Sequence, residues 1–317
     1  MFSVDTLINV AMLVFGFILL IKGADVFVEG ASKIAAMLKI PQIVIGLTIV
    51  AFGTSAPEAA VSIASAFKGT AGIAIGNIIG SNICNVLLIL GASGIIGALS
   101  IKKNTLKIET PFVVLITVVL LVLGNMGGGI DKIDAAILWG FFLLFLYYLY
   151  RLTLSGEEAG DDIPELEEGD KLWKLLVMIV LGMAAIVAGS QLTVDGASNI
   201  ATALGVSDRI IGLTIVAIGT SLPELVTSVS ASLKGKTDIA IGNVIGSNIF
   251  NILFVLGTAG LVSPTLIEFD PSFMTDGIIS IVAIVAFMLF IGKDMKLRKA
   301  GAIVMLVSYF AYIISIL

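Results

Sequence analysis

The chain reads as an all-α integral membrane protein of ten transmembrane helices, built as two inverted five-helix repeats with discontinuous helices at the midplane. Three observations predict this. Hydrophobic residues fill 58% of the 317 positions and charged residues only 13%, so apolar runs near the roughly 20 residues that cross a bilayer recur from end to end. The second half repeats the first at a constant offset of 166 residues. Each copy also places a proline and a glutamate inside an apolar run, "GTSAPE" at 53–58 and "GTSLPE" at 219–224.

Spans are expected near 5–27, 41–66, 72–99, 108–125, 133–151, 173–194, 207–232, 238–262, 273–291 and 297–316. No basic segment precedes the first and no small-residue cleavage site follows it, so it reads as a retained span. Between spans five and six, residues 152–172 form the one long polar stretch, which includes Glu157, Glu158, Asp161, Asp162, Glu165, Glu167, Glu168 and Asp170. It reads as an acidic linker between a first repeat, 1–151, and a second, 173–317. Over 151–174 these eight acids face Arg151, Lys171 and Lys174, which accounts for the net charge of −5, and nothing in the chain suggests a nucleic-acid partner. Cys84 is the single cysteine, which excludes an intrachain disulfide.

Ile45–Glu58 matches Ile211–Glu224 except at Phe52/Ile218 and Ala56/Leu222, and Ala74–Asn85 matches Ala240–Asn251 except at Ile78/Val244 and Cys84/Phe250. Five spans per half is an odd number, so the two halves enter the membrane from opposite sides. Cation placement tests the count: fourteen Lys and Arg residues fall on one side of the expected topology, against Lys68, Lys132 and Arg209 on the other. The positive-inside rule then puts 152–172 in the cytoplasm and both termini outside the cell (inner) membrane.

The chemistry is expected at the proline–glutamate motifs. A carboxylate at the bilayer centre costs about 2.5–3.5 kcal/mol on insertion scales and is retained where it lines a cavity, binds an ion or relays a proton. Pro57 has no N–H for the Gly53 carbonyl, so the helix should kink or unwind there and present bare carbonyl oxygens. Thr54 and Ser55 lie at i−4 and i−3 from Glu58 and share its helical face. Asn77, Ser81 and Asn85 form a polar stripe at steps of four, and the second half supplies Thr220, Ser221, Glu224, Asn243, Ser247 and Asn251. Helix packing is the competing reading: it suits Gly76, Gly80 and the amides Asn77, Asn82, Asn243 and Asn248, whereas duplication of Glu58 as Glu224 argues for function. With no histidine in the chain, an all-oxygen site selects hard cations such as Ca²⁺ or Na⁺.

The paired "GTS-x-PE" and "GN-x-IGSNI" motifs resemble the two alpha-repeats of the cation/Ca²⁺ exchanger superfamily, in its prokaryotic Na⁺/Ca²⁺ exchanger branch. The resemblance covers nearly the whole chain. It implies an antiporter, without catalysis or cofactor, that exchanges Na⁺ for Ca²⁺ by alternating access, with electrogenic Ca²⁺ export by a monomer in the lipid bilayer. It further implies ion ligands at Ala51 (carbonyl), Thr54, Ser55, Glu58, Ser81 and Asn85, and at Ala217 (carbonyl), Thr220, Ser221, Glu224, Ser247 and Asn251. The pattern departs from that branch at Asn251, where an aspartate is common, which leaves two central carboxylates. Amides at both 85 and 251 suit K⁺ independence. An H⁺/Ca²⁺ antiporter is the nearest alternative and a cation channel the next.

Overall fold

The computed structural model describes residues 4–67, 72–97, 99–155, 166, 169–205 and 217–316. Within lipid every backbone N–H and C=O must find its partner inside the segment, and apart from two short strands the regular elements there are helical. In the first half these are α1 (Val4–Leu38), α2 (Gln42–Thr54), α3 (Ala56–Phe67), α4, α5 (Thr105–Met126), β1 (Gly129–Ile130) and α6 (Lys132–Ser155). Helix α4 runs Gly72–Cys84 and passes through a π-helical stretch, Asn85–Leu90, into Gly91–Ile96. In the second half they are α7 (Leu172–Ala203), α8 (Ala217–Thr220), α9 (Leu222–Leu233), α10 (Thr237–Val262), β2 (Ile267–Glu268), α11 (Ser272–Phe290) and α12 (Lys299–Ile316).

Among the described residues eight helices are long and apolar enough to cross a bilayer, and α2 with α3, bent by 53°, makes a ninth. The expected span 207–232 falls partly outside the described residues, which take it up at α8 and α9. Most of the acidic stretch also lies outside them, although α6 carries on to Ser155 and Asp170 pairs with Lys33 at 3.2 Å. Both α1 and α7 overrun their expected ends at 27 and 194 by about three turns. No helix breaker intervenes before Pro41 in the first half or Gly205, at φ +81°, in the second. At about 1.5 Å per residue, α1 is roughly 50 Å long, well beyond a hydrocarbon layer of about 30 Å.

Two helices form the centre. The most apolar window of α10 is 94% buried and that of α4 78%, against 22–39% in α1, α5, α6, α7, α11 and α12. The outer helices turn apolar side chains such as Leu143, Val180 and Val307 outward, as a lipid-facing ring does. The central pair carries the polar residues.

Helices α1 and α7 cross against each other antiparallel along nearly their whole length. Gly30 meets Leu175, Gly23 meets Gly182, Gly16 meets Gly189, and Asn9 meets Gly196. The glycines recur every seven residues on both helices and are related by the same offset of 166. A Cβ on Gly23 would sit 2.9 Å from the Gly182 carbonyl, and one on Gly189 would sit 2.7 Å from the Gly16 carbonyl. Small residues permit this backbone approach, leaving a contact with few interlocking side chains.

The two ends of the bundle are closed by matching ladders. At one end β1 pairs antiparallel with β2 (Gly129 opposite Glu268). At the other, Ser100 bridges Lys296, and the Ile101 N–H donates to the Met295 carbonyl at 2.7 Å.

The α1–α7 contact makes a direct prediction. Gly23→Ala should lower the melting temperature in detergent by several degrees, since overpacking against backbone costs about 1–3 kcal/mol. Gly140→Ala, where a Cβ meets nothing within 4 Å, should leave it unchanged; equal melting curves for both variants would refute the close-approach account.

Candidate functional site

Each proline–glutamate motif breaks its helix at the serine. Ser55 (φ −81°, ψ 6°) separates α2 from α3, and Ser221 (φ −91°, ψ 5°) separates α8 from α9. The sequence suggested a break around Gly53. Gly53 instead stays helical, and its missing side chain makes room for Met183 and Phe27, which a Cβ would approach to 2.9 and 3.1 Å. Pro57 sits within the first turn of α3 and Pro223 within that of α9, where a missing N–H costs nothing. The carbonyls are also not bare. Ala51 O accepts the Ser55 N–H at 3.0 Å, and Gly219 O, facing Pro223, accepts the Ser190 hydroxyl at 2.8 Å.

The breaks bring the two halves together. Ser55 donates its hydroxyl to Glu224 at 2.8 Å across the interface, and Ser221 stands beside Glu58 in the mirrored position. The Thr54 hydroxyl lies 2.9 Å from Asn243 Oδ1, whose own amide reaches Ser228 at 2.9 Å and the Glu224 carbonyl at 3.3 Å. Helix α9 packs on the π-helical stretch of α4, and α3 packs on the corresponding stretch of α10, Asn251–Leu256. Such π turns recur at functional sites; here both begin at a predicted ligand, Asn85 or Asn251.

Ser55, Glu58, Ser81, Asn85, Ser221, Glu224, Ser247 and Asn251 are all buried, and so is Thr54, while Thr220 is partly exposed. Among the described residues seven oxygens of this set have no hydrogen-bond partner: both of Glu58, Oε2 of Glu224, Oδ1 of Asn85 and Asn251, and the hydroxyls of Ser221 and Ser247. Buried polar atoms are normally paired, and a buried carboxylate without donors costs several kcal/mol. The chemistry such a set lacks is a cation. No cluster of three or more His, Cys, Asp or Glu groups occurs among the described residues, so two carboxylates carry the formal charge. Ala217 is placed in α8, but its surroundings fall outside the described residues.

The halves are not equivalent around this centre. On one side Gly242 and Gly246 close tightly on α2: a Cβ at Gly246 would lie 2.8 Å from the Ala51 side chain and Leu47 backbone. Their counterparts Gly76 and Gly80 are partly exposed, as are Asn77 and Thr220, and a Cβ at Gly80 would meet nothing within 4 Å among the described residues. The centre is thus closed tightly at the end carrying Lys296.

Sequence reasoning passed over two groups. Asp25 accepts from Ser230 at 2.8 Å and pairs with Lys234 at 3.3 Å, because the last turn of α9 and its cap present both to the lengthened α1. Asn82 and Asn248, read as packing residues, are buried among the ligands and bond each other's backbone. Their duplication at the offset of 166 was the available signal.

A stability measurement follows from the unpartnered carboxylate. In chelator without Na⁺, Glu58→Gln should melt several degrees above the unsubstituted protein, because an uncompensated buried charge is removed. It should also lose the stabilisation that millimolar Ca²⁺ confers by mass action. A lower melting point in chelator would contradict the picture.

The family model described as sodium/calcium exchanger protein matches the chain twice, at residues 8–151 and 174–317. The chain is 34% identical over 345 residues to the sodium/calcium exchanger MaX1 of Methanosarcina acetivorans, covering 97% of this chain and 98% of that one. It is 36% identical over 273 residues to the inner membrane protein YrbG of Escherichia coli, covering 84% and 82%. Among solved structures it is similar to the sodium-calcium exchanger NCX_Mj, with a TM-score of 0.83, 33% identity and coverage of 98% of this chain and 100% of that one.

Proposed function

The chain belongs to the sodium/calcium exchanger family, and on that premise we propose that it is a Na⁺/Ca²⁺ antiporter working by alternating access through one central site. One observation carries the reading: two buried carboxylates from corresponding positions of the two halves converge with four further unpartnered oxygens, an all-oxygen set suited to hard cations. The ligands are Glu58 and Glu224 with Thr54, Ser55, Ser81, Asn85, Thr220, Ser221, Ser247 and Asn251, joined by the carbonyls of Ala51 and Ala217.

The architecture is ten spans in two inverted repeats. The family model's two matches, one per half, support the repeat. The antiparallel course of α1 and α7, equivalent helices related by the offset of 166, supports the inversion. The end of the bundle bearing Lys102, Lys103, Lys107, Lys293, Lys296, Arg298 and Lys299 is cytoplasmic by the positive-inside rule. On this reading the termini lie outside, the acidic linker lies inside and the tightly closed end is cytoplasmic. A relative named as an inner membrane protein fits this location, and a single chain supplying every ligand fits a monomer.

Alternating access would open the cytoplasmic side by separating Gly242 and Gly246 from α2. The glycine-lined contact of α1 and α7, lacking interlocked side chains, is suited to a sliding pair that carries this change. Competition supplies coupling. With both glutamates ionised the site holds −2; one Ca²⁺ brings it to zero and three Na⁺ would bring it to +1. Exchange at that ratio would be electrogenic, and each charge crossing 100 mV is worth about 2.3 kcal/mol, so an inside-negative potential would drive Ca²⁺ export.

The test is Ca²⁺ flux in proteoliposomes. An imposed Na⁺ gradient should drive Ca²⁺ uptake and respond to membrane potential, whereas a pH gradient without Na⁺ should not. Glu58→Gln and Glu224→Gln should each lower uptake at least about 100-fold, the order expected when a charged cation ligand is lost. Uptake driven by pH alone would favour H⁺ coupling, and downhill flux without stoichiometric Na⁺ counterflow would favour a channel.

A further inference from the structure

Four asparagines form a closed set at the centre of the bundle. Asn82 Nδ2 donates to the Asn248 backbone carbonyl at 3.2 Å, and Asn248 Nδ2 donates to the Asn82 carbonyl at 3.4 Å. With their N–H groups engaged there, Asn82 and Asn248 turn their own Oδ1 atoms to the next pair. Asn82 Oδ1 accepts from Asn251 Nδ2 at 3.1 Å, and Asn248 Oδ1 accepts from Asn85 Nδ2 at 2.9 Å. Every bond has its counterpart at the offset of 166, so the set is reciprocal. Two side-chain oxygens are left over, Oδ1 of Asn85 and Oδ1 of Asn251, both buried and without a partner among the described residues.

A side-chain amide has an acceptor end and a donor end of nearly equal size, and its orientation is set by the groups around it. At a cation site the two ends are opposites. A carbonyl oxygen attracts the ion, whereas an NH₂ group repels it. Asn85 and Asn251 are therefore useful ligands only if something holds their N–H groups away from the ion.

We propose that Asn82 and Asn248 are positioning residues that set the polarity of the cation site: each holds the amide N–H of a ligand from the opposite half, so that Asn251 and Asn85 present oxygen to the ion. The proposal rests on the antiport reading and deepens it. Because this chain has amides rather than carboxylates at 85 and 251, it needs such orienting partners. An aspartate presents oxygen from either face and would need none. The same logic makes the amide set a coupling between halves, since each ligand is oriented from across the interface.

The distinguishing experiment is a double-mutant cycle read by ⁴⁵Ca²⁺ uptake into proteoliposomes under a Na⁺ gradient. Asn82→Leu should raise the KM for Ca²⁺ roughly 10–100-fold, the usual cost of losing a partner that orients a metal ligand, with the maximal rate much less affected. In an Asn251→Asp background the same Asn82→Leu change should alter KM by less than about two-fold, because the two positions no longer couple through orientation. Equal factors in both backgrounds, or an unchanged KM in Asn82→Leu alone, would overturn the proposal. The mirror pair, Asn248→Leu with Asn85→Asp, provides the same test should Asn82→Leu not be recovered as folded protein. Failure of both leucine variants to fold would assign the residues to packing and also overturn it. If the unsubstituted protein showed no Na⁺-driven uptake, the antiport reading itself would fall. Equilibrium ⁴⁵Ca²⁺ binding to purified protein would then read the same cycle for the site alone.

Discussion

Two buried carboxylates with three of their four oxygens unpartnered, in a bundle whose exterior is apolar, are the constraint on which the other features depend. Among the described residues Glu58 keeps both oxygens unpartnered and Glu224 keeps one, and none of those residues is a lysine or arginine paired with either. Such a pair is tolerable only within a polar core shielded from lipid. The burial of α4 and α10 follows: they form the centre because they bear the amides and hydroxyls that share the cavity, while the apolar helices surround them. The helix breaks at Ser55 and Ser221 serve the same end, turning each glutamate-bearing helix toward the opposite half.

The contacts across the centre are reciprocal. Ser55 reaches Glu224 while Ser221 stands beside Glu58, and Asn85 reaches Asn248 while Asn251 reaches Asn82. A two-fold relation between the halves gives this pattern, and a site on the axis can be entered from either end. Departures from the relation therefore carry information. Phe52 and Phe250 replace Ile218 and Cys84 of the other half, and they meet edge to face at 4.9 Å beside Trp139, Phe142 and Phe254. The Asp25–Lys234 pair has glutamine at the position corresponding to Asp25, and Gln191 bonds within its own helix to Asp195. The ion pair lies at the end carrying Lys296, whereas Trp139 packs on Gly257 toward the end carrying β1 and β2. These contacts come from positions at which the two repeats differ.

Much of this was legible in the chain. The offset of 166, the two proline–glutamate motifs and the polar stripes on spans three and eight located the broken helices and the residues of the buried polar centre, because identity between distant segments survives in sequence. Other features were not legible. The break fell at Ser55 because Gly53 is needed for the approach of Met183 and Phe27, a contact between residues far apart in the chain. The extra turns of α1 and α7 were missed because charged residues such as Glu29 and Lys33 resemble a loop in composition, although they lie in a helix that outreaches the lipid.

By itself the sequence determined a membrane-embedded, twofold-repeated chain with paired acidic breaks, because hydropathy, repetition and proline chemistry are local properties that survive without coordinates. Only the tertiary structure decided which oxygens remain unpartnered, which amides turn their N–H groups away and which end is tightly closed. Those outcomes depend on partners supplied from the other half of the chain. An amide's direction is fixed by what it faces across an interface, and no spacing along a single strand of residues encodes that.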